Sequence, residues 1–106
     1  MTVRQIARVG DQSTGTCPLH AGGQAYTATW STVHSPTSTA DGQYIIRVGD
    51  TTLASCGHTL WATIGASGID DYGAKIHRQG DDCSTLGPSG ATTGYTIQGS
   101  PNCSAG

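Results

Sequence analysis

One short sequence, Arg-x-Gly-Asp, occurs three times and constrains the fold of this chain more than any other feature. Its copies occupy residues 8–11, 47–50 and 78–81, roughly 30 to 40 residues apart. Repeats at such a spacing indicate one supersecondary unit that is used several times. Three of the four arginines of the chain lie in these motifs, so chance is a poor explanation for them.

Each copy of the motif predicts a tight turn. Glycine tolerates a positive φ, and an aspartate side chain can accept hydrogen bonds from nearby backbone amides. The arginine and aspartate of a copy are also placed to pair. The plainer interpretation is three similar surface turns, and the sharper one, which the repeat favours, is three equivalent corners of a pseudo-threefold domain. The turn residues are Arg8, Gly10, Asp11, Arg47, Gly49, Asp50, Arg78, Gly80 and Asp81.

Length and composition predict one small all-β domain. The chain has 106 residues, of which 16 are glycine, and only 35% are hydrophobic and 11% charged. Such a neutral, threonine-rich and turn-rich chain suits short strands joined by tight turns. A core this poor in apolar residues is marginal for its length, so a metal ion, a disulfide or a partner surface is expected to stabilise the fold.

The pattern along the chain predicts three units, at approximately residues 1–40, 41–72 and 73–106 of a single domain. Strands are expected within residues 24–34, 43–48, 60–64, 74–78 and 93–98, and loops at 12–23 and 51–59. No stretch has a helical repeat of apolar residues.

Charge and hydropathy exclude several functions. A net charge of −2 argues against nucleic-acid binding, which requires a basic surface. The first residues lack the apolar run of a signal peptide, and no segment approaches the roughly 20 apolar residues that cross a bilayer. We therefore expect a protein made in the cytoplasm, whose cysteines are metal ligands or free thiols rather than disulfides.

The repeated motif and the loops that follow it resemble the PAAR-repeat family. Its members carry Ala-Arg-x-Gly-Asp early in each repeat, then a loop with Cys and His, then a strand that ends in Gly-Ser-Pro. The matching loops are Cys17-Pro18-Leu19-His20 and Cys56-Gly57-His58, and Gly99-Ser100-Pro101 closes the last unit. The Pro-Ala-Ala that precedes the arginine in the family is absent here, so this resemblance is to a divergent member.

The resemblance implies a fold, a partner and a location. PAAR-repeat proteins are small cones that cap the trimeric β-helical spike of contractile tails, in phages, pyocin-like particles and type VI secretion, with one chain per trimer. It implies a structural role in piercing the target cell envelope, with transient membrane contact, at the tail baseplate of a virion or at the tip of a secreted injection machine.

The resemblance also implies a metal near the point of the cone, usually zinc held by three His and one Cys. Equivalent loops converge at the tip of such a cone, which favours His20, His58 and Cys83, with His77 as the third imidazole. Tetrahedral coordination by nitrogen and sulfur suits a structural zinc ion, and iron is the second possibility. Cys17 and Cys56 are alternative ligands, and a disulfide between them is a further alternative. His34 is expected in a strand, and Cys103 as a free thiol or a disulfide partner.

Enzyme activity is not expected. The chain contains no glutamate, no His-Glu-x-x-His or His-x-Glu pattern and no Gly-x-Ser-x-Gly motif. The alternative function is a small metal- or carbohydrate-binding β-module, in which Trp30 and Trp61 would stack on sugars. We expect these tryptophans instead to fill the core at equivalent places in the first two units.

Overall fold

The computed structural model describes residues 4–31, 38–40, 42–66, 70–71 and 74–105. The predicted all-β fold is confirmed, because these residues form short strands and no helix. None of them therefore forms a helix that is long and apolar enough to cross a membrane. The strands are β1 (Arg4–Gln5), β2 (Gln12–Cys17), β3 (Gln24–Thr29), β4 (Thr39–Ala40), β5 (Gln43–Tyr44), β6 (Thr51–Leu53), β7 (Thr59–Ala62), β8 (Asp70–Asp71), β9 (Ala74–Lys75), β10 (Asp82–Ser84), β11 (Gly94–Thr96) and β12 (Ser104–Ala105).

Three hairpins form one curled antiparallel sheet in the order β3-β2-β11-β10-β7-β6. Each hairpin, β2-β3, β6-β7 and β10-β11, begins directly after one of the Arg-x-Gly-Asp motifs. The two edge strands come together through a bridge between Ala28 and Ala54, and the Ser55 amide donates to the Thr27 carbonyl at 2.8 Å. The sheet therefore curls until its edges nearly close.

A cyclic set of backbone hydrogen bonds links the three motifs at the centre of the fold. The Ala7 amide donates to the His77 carbonyl at 3.0 Å, the Ile46 amide to the Ala7 carbonyl at 3.0 Å, and the His77 amide to the Ile46 carbonyl at 2.9 Å. Each residue immediately precedes a motif arginine and uses both of its backbone groups in the ring. The three motifs are thus related by an approximate threefold arrangement.

Three two-stranded ladders, β1-β12, β4-β5 and β8-β9, lead into this ring. Two of them are hairpins, whereas β1-β12 joins the two ends of the described chain, with Arg4 opposite Ala105. The isoleucines that follow the ladders, Ile6, Ile45 and Ile76, form one buried cluster with Ala40 and Ala66. The unit boundaries predicted at residues 40 and 72 stay predictions.

The aspartate of each motif holds its turn closed. The Asp11 carboxylate accepts hydrogen bonds from the Arg8 amide at 2.8 Å and from the Arg8 guanidinium at 3.1 Å. Asp81 binds Arg78 in the same way and is fully buried. The motif glycines have φ between 85° and 99°, which explains why glycine occupies these positions.

The predicted loops at residues 12–23 and 51–59 were wrong in part, because both contain strands. Strand β2 begins directly at Gln12 and β6 directly at Thr51. These strands carry serine and threonine at positions where the sequence rules expect apolar residues. The buried hydroxyls are satisfied internally: Ser13 Oγ lies 2.7 Å from Thr96 Oγ1, and Thr52 Oγ1 donates to the Thr29 carbonyl at 2.6 Å.

The two tryptophans do not occupy equivalent places, contrary to the prediction. The amides of Gly10, Gly49 and Gly80 donate to the carbonyls of Trp30, Ala62 and Thr96 respectively, so Ala62 is the counterpart of Trp30. Trp30 is completely buried, and its indole Nε1 donates to Thr96 Oγ1 at 3.1 Å. Trp61 is only half-buried.

Candidate metal centre

Four cysteine and histidine side chains meet where two hairpin turns lie side by side. Cys17 ends β2, and His20 follows it in the turn that leads to β3. Cys56 and His58 lie in the turn between β6 and β7. One potential ligand atom from each of these residues lies within 4.8 Å of those of the other three. These four residues could therefore bind a metal ion, although they come from segments far apart in the sequence.

The backbone of both turns fixes the four side chains. In the first turn, the Gly23 amide donates to the His20 carbonyl at 2.8 Å. In the second, the Gly57 amide donates to the Ala54 carbonyl at 2.9 Å, and Gly57 has a φ of 92°. The positive φ lets the chain reverse within two residues, so that Cys56 and His58 both reach the same site.

The distances between sulfur and nitrogen suit a tetrahedral ion. Cys17 Sγ lies 3.5 Å and Cys56 Sγ 3.9 Å from His58 Nδ1. Around a tetrahedral zinc ion, bonds of about 2.3 Å to sulfur and 2.0 Å to nitrogen place these atoms about 3.5 Å apart. The distance from His58 Nδ1 to each sulfur is therefore close to the one that a shared zinc ion would require.

His20 is positioned by both turns. Its Nε2 lies 3.0 Å from the Cys56 carbonyl oxygen and donates to it when that nitrogen carries the proton. Its ring packs edge-on against that of His58, with 4.9 Å between the centroids. A backbone carbonyl that accepts a hydrogen bond from one ring N–H is the usual arrangement that orients a metal-binding histidine.

The two cysteines have different protonation tendencies. Burial raises the pKa of Cys17, but hydrogen bonds from the Leu19 backbone and the side chains of Thr85 and Cys56 outweigh it, so the pKa lies below its ordinary value. The pKa of Cys56 is raised, first by burial and further by the neighbouring Cys17. The thiolate is the form of cysteine that binds metals. The third hairpin supplies Thr85 to this environment but no ligand.

The structure brings together only part of the predicted ligand set. His20 and His58 are in the group, and their partners are the alternatives Cys17 and Cys56. His77 and Cys83 lie elsewhere, and His34 lies outside the described residues. Sequence spacing did contain the relevant signal, because Cys17-x-x-His20 and Cys56-x-His58 each place two ligands within one turn.

His77 is fully buried at the centre of the fold, and both ring nitrogens have partners. Nδ1 lies 2.8 Å from the Ile64 carbonyl oxygen, to which it can only donate, and Nε2 lies 2.7 Å from Thr96 Oγ1. The ring packs edge-on against Trp30. Burial lowers its pKa, against the opposing effect of the Ile64 carbonyl, so His77 is held neutral in the core.

Cys83 is also fully buried, in strand β10 between β7 and β11. Its Sγ lies 3.8 Å from the hydroxyl oxygen of Tyr26. Burial raises the pKa of Cys83 to about 11, so it stays a thiol. Cys103 is half-buried and packs beside the cluster of Ile6, Ile45 and Ile76.

No protein-family model, curated protein sequence or solved structure matches this chain.

Proposed function

We propose that this protein is a structural cap whose pseudo-threefold body sits on a trimeric spike and whose hairpin turns are held together by zinc. The observation that carries the proposal is the cyclic set of hydrogen bonds among Ala7, Ile46 and His77. A single chain that places the same turn motif three times about one axis has the approximate symmetry of a threefold partner. This geometry supports the role that the resemblance to PAAR-repeat proteins implies, at the tip of a contractile tail or a type VI machine.

Zinc is the ion that the donor set favours. Two sulfurs and two imidazoles form a closed set of four ligands, which is typical of a structural zinc site, whereas a catalytic site keeps one position open. If His20 keeps its hydrogen bond from Nε2 to the Cys56 carbonyl, Nδ1 is the nitrogen left to bind the ion. The ion would add a cross-link between two hairpins that already touch at the edges of the sheet and through His20. Iron is the second metal to test.

The docking face is the one built by the three ladders β1-β12, β4-β5 and β8-β9. These ladders repeat around the ring in the same order as the motifs. Tyr44, in β5, is 44% exposed and offers an aromatic contact on this face. Tyr95, in β11, is 50% exposed but belongs to the hairpin sheet. Because the two tyrosines are similarly exposed on different surfaces, their variants test which surface binds the spike.

A sugar-binding module receives less support. Stacking on sugars requires an exposed aromatic face, and Trp30 is completely buried. The four-residue cysteine and histidine group also gives the site a structural rather than a catalytic composition, which favours a role without enzyme activity.

The test mixes the purified chain with trimeric β-helical spike proteins that end in a blunt threefold face, and measures complexes by native mass spectrometry. We expect one chain per three spike chains. Tyr44→Asp should weaken the complex about tenfold or more, whereas Tyr95→Asp should leave it unchanged. Binding to no trimer, or binding of three chains per trimer, would contradict the cap. Elemental analysis of the same preparation should find about one zinc ion per chain.

A further inference from the structure

The two sulfurs of the candidate metal centre are neighbours as well as shared ligands. Cys17 and Cys56 have their Sγ atoms within 4.8 Å of each other. Cys17 is the last residue of β2 and Cys56 lies in the turn between β6 and β7, so a small shift of that turn can change their separation. His58 contacts both sulfurs.

We propose that Cys17 and Cys56 form a reversible disulfide that replaces the metal under oxidising conditions, so that the two hairpins stay cross-linked in either state. This inference rests on the metal centre of the proposed function and adds its regulation. Cys83 and Cys103 are excluded as partners, because Cys83 is enclosed in the sheet beside Tyr26 and Cys103 packs in the separate isoleucine cluster.

The reaction balances with a peroxide as the oxidant. Two metal-bound thiolates lose one electron each and form the S–S bond, and the O–O bond of hydrogen peroxide breaks. Two protons from solvent complete two water molecules, and the zinc ion leaves because a disulfide sulfur is a much poorer ligand than a thiolate. A thiol reductant reverses the step and restores both ligands.

The exchange has a physical consequence for the fold. Compartments that keep thiols reduced favour the metal form, and oxidising surroundings favour the disulfide. A chain that moves from one to the other would lose its metal without separating the two turns. Oxidation of His20 or His58 cannot keep the two turns joined, since a histidine forms no bond equivalent to a disulfide.

The test uses the whole zinc-loaded protein and measures its zinc content before hydrogen peroxide is added. Peroxide should then release about one zinc ion per chain, detected with a chromogenic chelator. Peptide mapping should find a bridge between Cys17 and Cys56, and a reductant together with zinc should restore the starting state. Cys103→Ser should behave as the wild type.

The outcomes separate the two proposals. A protein that binds zinc but keeps it in peroxide, or that bridges Cys17 or Cys56 to another cysteine, overturns the redox exchange and leaves the metal centre standing. A protein that binds no zinc before oxidation overturns both proposals. The Cys56→Ser variant is a second check, because peroxide must give no intramolecular bridge to Cys17 in it.

Discussion

The Sγ atom of Cys17 lies 3.5 Å from Nδ1 of His58, although 41 residues separate them in the sequence. The sheet creates this proximity, because the edge strands β3 and β6 meet and place the turns of their hairpins side by side. A metal ion at this point would reinforce the contact between the two edges of the sheet. Its removal is therefore expected to affect the stability of the whole domain.

The first prediction concerns the metal. His58→Ala should reduce zinc from about one ion per chain to nearly none, because His58 contacts both sulfurs. Structural zinc contributes on the order of 10 kcal/mol in small peptides, and losing even about 2 kcal/mol lowers the Tm of a domain of this size by roughly 10 °C. Calorimetry with and without a chelator measures this. Cys103→Ser is the control and should keep its zinc, and an unchanged Tm for chelated wild-type protein would contradict a stabilising role.

The second prediction concerns the buried carboxylates of the motifs. Asp81→Asn should destabilise the protein by about 3 kcal/mol, because it leaves the Arg78 guanidinium without its charged partner in a buried site. Asp11→Asn should have a smaller effect, since the Arg8 side chain is 20% exposed and water can partly replace the carboxylate. Urea unfolding compares the two variants.

The Arg4→Gln variant provides a control for this comparison. Arg4 also contacts Asp81 at 2.8 Å, but its side chain is 41% exposed. Its removal should therefore change the free energy of unfolding by less than about 1 kcal/mol. Equal losses for Arg4→Gln and Asp81→Asn would mean that burial does not decide the strength of these pairs.

The third prediction separates two reasons why a position requires glycine: a positive φ and a lack of space for a side chain. A methyl group at Gly49 would meet nothing within 4 Å, so Gly49→Ala should cost only the strain of its φ of 98°, about 1–2 kcal/mol. A methyl group at Gly94 would overlap the Thr14 carbonyl and the Tyr26 hydroxyl. Gly94→Ala should cost more than about 3 kcal/mol, because backbone cannot move aside easily. Denaturant titration that ranks the two variants in the opposite order would contradict this.

The fourth prediction concerns pH. Burial lowers the pKa of His77 in the folded state, whereas the unfolded chain has a value of about 6.5. The unfolded state therefore binds more protons below about pH 6.5, and stability falls as the pH drops through this value, by at most about 1.4 kcal/mol per pH unit. Proton NMR of the His77 ring should show no titration in the folded protein near pH 6.5. A midpoint at 6.5 would contradict the burial argument.

Sequence reasoning identified the strands that carry apolar residues and missed those that do not. The apolar residues Tyr26 and Leu60 allowed β3 and β7 to be predicted. Strands β2 and β6 instead bury Ser13 and Thr52, which gave no such signal. Hydroxyls are buried there because other hydroxyls and carbonyls bind them, and these partners lie on different strands. Periodicity along one segment cannot reveal a partner that only the folded sheet supplies.

Only part of the metal centre could be predicted, because its ligand set also depends on which turns the folded sheet brings together. The repeat placed His20 and His58 in equivalent turns, and both belong to the group. The exact threefold argument then favoured Cys83 from the third unit, but that residue is inside its strand, and the third hairpin contributes Thr85 instead. The ligand set therefore follows two neighbouring turns rather than the full pseudo-symmetry.

The pairing of β1 with β12 has a consequence for synthesis. Arg4 lies opposite Ala105, so the first ladder of the ring joins two segments that lie far apart along the chain. A nascent chain can form the hairpins of the first two units early, but it cannot close the circle until β12 has emerged from the ribosome. The closing step in the folding of this domain therefore waits for the synthesis of all three of its units.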